Sequence, residues 1–173
     1  MKFDATAYGP EVAAIFRLAH GHPMDRLVAS ASPSAELKSR VHAGLFVDSA
    51  HPQAALSGLW LYFDCFEEAH TVSQEDHSAE GSLWHGIAHR REPDYGNANY
   101  WFQKAGNDHP AFPAIFEAVR ALQGGGMKTP HWNPQFFTAL CEAEEQAPDA
   151  YVLAIQRVEW EVLFEYCARK RSV

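Results

Sequence analysis

Apolar residues return every three or four positions along most of the chain, and the recurrence lapses where Gly, Pro, Asn or Asp gather. That period predicts helices rather than strands. The fold class it implies is all-α, a single helical domain over residues 1–173 built as an irregular bundle of about seven helices. The first is expected over residues 10–20, opened by Pro10 and closed by Gly21, with a turn-rich connection through Gly21-His22-Pro23 and Ser30. Ser32 or Ser34 then caps a short helix reaching Val41 or His42. The longest helix of the first half is expected from residue 52 to 72 or 74, with Leu59, Phe63, Phe66 and His70 on one face. Ser82 is read as the cap of a helix over 83–91, and Pro93 pushes Glu92 out of helical geometry. Asp94 caps the next helix, over 95–105, and Gly106 ends it. A further pattern over 113–122 stops at Gly124-Gly125-Gly126, read as the most flexible point of the sequence, and two last helices are expected over 134–146 and 149–170.

Composition narrows the function classes more than it names one. The 173 residues are 47% hydrophobic and 13% aromatic, enough for one sizeable core. Twenty-two acidic residues against 14 basic ones give a formal charge of −8, so no general cationic surface exists for phosphates and nucleic acid is not expected as a partner. The Arg169-Lys170-Arg171 cluster sits where a helix C-terminus is expected, complementing its dipole. Cys65, Cys141 and Cys167 are widely separated with no C-x-x-C pair, which predicts reduced, mostly buried thiols rather than disulfides or a thiolate zinc site. No stretch is apolar enough for a membrane span, no membrane partner is expected, and the default location is the cytoplasm. GGGMKT lacks the preceding strand and the Gly-Lys-Ser/Thr unit of a phosphate loop, so nucleotide hydrolysis is not supported. NANYWFQKAG has the texture of a helical repeat but occurs once.

The chemistry-bearing residues concentrate in WHGIAHRREPDY. His85 and His89 are four apart, which places them one turn above the other on a helix face, the usual helical half of a zinc or iron site. Glu92 could add an oxygen from the end of the same helix. Glu67 and His70 form a Glu-x-x-His pair on the preceding helix, so His70, His85, His89, Glu67 and Glu92 together have the donor types for one divalent metal. The same His85, His89 and Glu92 are the candidates for acid–base or hydrolytic catalysis. The zincin glutamate is missing, because Gly86-Ile87-Ala88 follows His85, and a di-metal bundle would need a second Glu-x-x-His unit. Glu159, Glu161 and Glu165 on the last helix could supply carboxylates, although glutamates on a long helix are more often solvent-facing.

A second reading places a small polar ligand among His70, Arg90, Arg91, Asp94 and Tyr95, with the guanidinium groups forked onto a carboxylate or phosphate. Against both stands the structural alternative: His85 and His89 cap helix carbonyls, and the arginines form a brace with nearby acids. Trp84, Tyr100 and Trp101 are read as core.

Over residues 59–110 the chain resembles a family of uncharacterised, mainly bacterial proteins. The residues that carry the likeness are Phe63-Asp64, Glu68-Ala69-His70, Ser73-Gln74, the run from Gly81 through Asp94, Asn97-Ala98-Asn99-Tyr100-Trp101-Phe102 and His109-Pro110. The resemblance covers about a third of the chain and brings no activity with it. The functional expectation is therefore a helical protein whose pocket, between the His70 helix and the His85-to-Glu92 helix, binds a metal or a small polar ligand. Its alternatives are an interaction module in which the cluster only braces the fold, and a homodimer joined through the aromatic helices.

Overall fold

The computed structural model describes residues 3–19, 24–29, 31–122 and 129–171. Gly21-His22-Pro23, Ser30 and Gly124-Gly125-Gly126 lie outside the described residues. Nine α-helices are present among those described: α1 (Pro10–Phe16), α2 (Ala35–Arg40), α3 (Pro52–Tyr62), α4 (Phe66–Glu75), α5 (Ala79–Arg91), α6 (Tyr95–Ala105), α7 (Phe112–Arg120), α8 (Pro134–Ala143) and α9 (Ala150–Ala168). Short 3-10 turns at Ala5–Tyr8 and Ala43–Phe46 precede α1 and α3, and the β-type pairing among the described residues is a single isolated bridge, Ser49 to Lys170. The all-α expectation holds, with more helices than the periodicity suggested. No helix among the described residues is long and apolar enough to cross a membrane.

One of the additional helices comes from a break. The element expected over 52–74 ends at Tyr62 and restarts at Phe66, because Asp64 takes a left-handed φ of 59° that cannot continue a helix. Arg91 occupies the break, donating to the Leu61 carbonyl at 3.0 Å and to Asp64 Oδ1 at 2.5 Å. A guanidinium there answers the aspartate and adds a second donor to the Leu61 carbonyl, which also accepts from the Asp64 N–H, at the negative end of α3. His70 consequently belongs to α4, where its neighbour one turn back is Phe66, their rings 5.4 Å apart. The Ser82 cap is also corrected: α5 starts at Ala79, Ser78 accepts from the Gly81 N–H at 3.0 Å, and Ser82 is buried inside the helix. The Asp94 cap forms as expected, accepting from the Asn97 N–H at 3.1 Å.

The core runs along α9, where Trp160 and Phe164 stack at 4.7 Å and gather Phe3, Phe16, Tyr62 and Phe46 around them. Gly58 of α3 lets this layer close: an added Cβ would lie 2.7 Å from the Trp84 ring and 3.1 Å from Phe164. Trp84 is fully buried as expected, whereas Tyr100 is 54% exposed and Trp101 only partly covered, so these two do not belong to the core. Cys65, Cys141 and Cys167 are buried and free. Burial pushes the Cys141 thiol up to about 11 and the Cys65 thiol up to about 12, so neither presents a thiolate at neutral pH.

Candidate metal centre

At 100° per residue, the consecutive positions His89, Arg90 and Arg91 point to three different sides of α5. Each side has found a different partner. Arg91 plugs the end of α3 and also donates to the Arg26 carbonyl at 3.1 Å. Arg90 forks onto both carboxylate oxygens of Glu159 on α9, with Phe137 stacked 4.5 Å from its guanidinium. Both arginine side chains are essentially unexposed. Glu159, expected to face solvent on a long helix, is instead 2% exposed because Arg90 neutralises it. The two braces fix the rotation of α5, and that setting leaves His85 and His89 facing α4 and α6.

There they meet His70. The His70 ring lies 4.6 Å from His85 and 5.0 Å from His89, nearly perpendicular to both, while His85 and His89 are near-parallel at 4.9 Å. One ligand nitrogen from each of the three lies within 4.8 Å of the other two. His85 and His89 are buried, and His70 is half-buried. Glu67 and Glu92 are not members of this mutually close set. Glu92 contacts the cluster from outside: its Oε2 lies 3.2 Å from His89 Nδ1, and since a carboxylate only accepts, the ring proton belongs on Nδ1 and the lone pair on Nε2. The Asn97 side-chain amide donates to that Nε2 lone pair at 3.1 Å and stands 3.5 Å from Nδ1, so a metal binding at Nε2 displaces this hydrogen bond.

Trp101 of α6 forms the other wall, stacked on His85 at 3.9 Å and 15°. Gly86 permits it: a Cβ there would stand 2.6 Å from the Phe102 ring, so only glycine allows α5 and α6 this close. His85 Nδ1 is buried with no hydrogen-bond partner among the described residues. Burial first, then the neighbouring His70, His89 and Lys104, push the His85 imidazole down to about 3. His89 is also lowered, by burial and His70 against the opposing pull of Glu92 and Asp94. Burial thus disfavours the protonated form of both rings, which could not ligate a metal.

The remaining expected site residues separate from this cluster. Arg90 and Arg91 are engaged by Glu159 and Asp64, Asp94 caps α6, and Tyr95 donates to Glu145 at 2.8 Å. Sequence reading missed a second polar cluster, in which Glu80 receives His109 Nε2 at 3.2 Å and lies 3.4 Å from His51 Nδ1. His109 Nδ1 accepts from the Ala111 N–H, so both of its nitrogens are occupied and it ties the loop before α7 to α5. Its only sequence signal was two isolated histidines far from Glu80. A cleft of about 850 Å³ opens beside His109, between α7 and the segment entering α8, walled by Phe112, Phe116 and Trp132, and none of the three clustered histidines lines it. No family model, curated protein or solved structure matches the chain.

Proposed function

We propose that this protein binds a divalent first-row metal such as zinc or iron through His70, His85 and His89. The observation that carries the reading is the convergence of three ligand nitrogens within 4.8 Å, one of the rings having a buried Nδ1 without a hydrogen-bond partner. A buried polar atom without a partner costs on the order of 1–3 kcal/mol, and a metal bond to that Nδ1 itself offsets the cost. Bonds of about 2.0–2.1 Å set tetrahedral ligands about 3.4 Å apart, so binding asks the three ligand nitrogens to draw together by at most about 1.4 Å. The Glu92 contact supports the same reading, because it is the carboxylate that a ligating histidine ordinarily holds on its other nitrogen.

Three protein ligands leave coordination positions for water, and the chemistry such a site supplies is metal-assisted hydrolysis or hydration. The brace alternative accounts for the terminal nitrogens of Arg90 and Arg91, which protein groups take up, but leaves their buried Nε atoms and His85 Nδ1 without partners among the described residues. Metal analysis of protein purified without a histidine tag tests the proposal. About one equivalent of bound metal per chain, a melting temperature that rises with added zinc and falls with chelator, and loss of both effects in His85→Ala are expected. Melting indifferent to zinc, iron and chelator would remove the proposal.

A further inference from the structure

We infer that the open coordination positions of this centre take a small carboxylate, admitted between Phe66 and Trp101 on the His70 side. The inference rests on the metal reading above and extends it to the class of ligand.

Charge is the first argument. All three donors are imidazoles, and among the described residues no aspartate, glutamate or cysteine joins the set. A divalent ion held by neutral ligands keeps its full charge at the open positions, where carboxylate ligands would have cancelled part of it. Glu92, the acid in contact with the cluster, spends its oxygen on His89 Nδ1 and compensates only from outside. Lys104 adds positive potential from the α6 side, its Nζ 4.1 Å from the Trp101 ring that itself lies on His85.

Access is the second argument. His85 and His89 are buried, whereas His70, Phe66 and Trp101 are each only partly covered, so an incoming group reaches the metal past His70. The ring of Phe66 stands 5.4 Å from His70 and 6.2 Å from His89, giving an apolar wall on the α4 side as Trp101 does on the α6 side. A planar anion with an apolar substituent suits two aromatic walls around one strong positive centre. A long polyanion does not, because the chain as a whole carries −8.

The full chain loaded with cobalt(II) provides the test, because its visible absorption reports coordination. Acetate is expected to change that spectrum saturably, azide to compete with it, and acetamide, the neutral analogue of the same shape, to bind at least about tenfold more weakly. A cobalt spectrum that depends on the three histidines but ignores both acetate and azide would overturn the carboxylate inference while leaving the metal proposal standing. Equal affinity for acetate and acetamide would overturn it too, by removing the charge argument. A chain that takes up no cobalt removes both.

Discussion

The guanidinium of Arg90 is held by both carboxylate oxygens of Glu159, 69 residues further along the chain, at a site where neither side chain is more than 3% exposed. A fully desolvated pair of this kind contributes little net stability, but removing one partner leaves a buried charge uncompensated. Glu159→Gln is therefore expected to destabilise the protein by about 3–5 kcal/mol, and Arg90→Met with Glu159→Leu together by much less. Urea unfolding of the single and double variants measures both. Additive losses in the double variant would mean that the pair is not coupled.

Glu80 makes acid stability depend on one cluster. Burial alone would raise its pKa, but the hydrogen bond from His109, with its own backbone N–H and His51, more than offsets this and holds it down at about 2 against an ordinary 4.5. A depressed carboxylate contributes stability that is complete above its unfolded pKa and lost as the pH falls toward the folded one. Between about pH 6 and about pH 3 the wild-type protein should therefore lose about 2 kcal/mol more than Glu80→Gln does. Parallel urea midpoints for the two proteins across that range would show that the cluster is not what holds Glu80.

Much of this arrangement was legible along the chain, for identifiable reasons. Asp94 caps α6 because an aspartate before a helical period has only local geometry to satisfy, and local rules see it. His85 and His89 share a face because four residues make about one turn. What the sequence concealed were long-range partners. The break at Asp64 is completed by Arg91, 27 residues later, and Glu159 is buried only because Arg90 reaches it. Ser78 and Ser82 carry the same capping signal, and the choice between them falls to tertiary packing, which buries Ser82.

Gly86 sets the distance between α5 and α6. An alanine methyl there would meet Phe102 at 2.6 Å, and Phe102 is fully buried with nowhere to move. Overpacking of this kind costs about 1–3 kcal/mol, so Gly86→Ala should lower the melting temperature. Phe102→Leu in the same chain should recover part of the loss. An unchanged melting temperature in Gly86→Ala would show that the two helices separate freely, and the Trp101 wall over His85 would then not be fixed by packing.

Glu92 offers the sharpest separation between a metal centre and a brace. Its side chain is 45% exposed, and its carboxylate contacts His89 Nδ1, fixing which nitrogen carries the proton and which keeps the lone pair. Removing an exposed side chain normally changes stability by no more than about 0.5 kcal/mol, so Glu92→Ala should fold and melt like the parent. Removing the carboxylate partner of a ligating histidine costs about 10–100-fold in metal affinity, because the ring loses both its orientation and part of its basicity. Competition against a chromophoric zinc chelator reads that loss directly, with His70→Ala as the reference for a missing ligand. Zinc affinity in Glu92→Ala equal to the parent's would mean that His89 is held by its packing against Phe66 and Asn97 rather than by the carboxylate. A large loss of stability without zinc would instead assign the His89–Glu92 contact to the architecture of the α5 C-terminus.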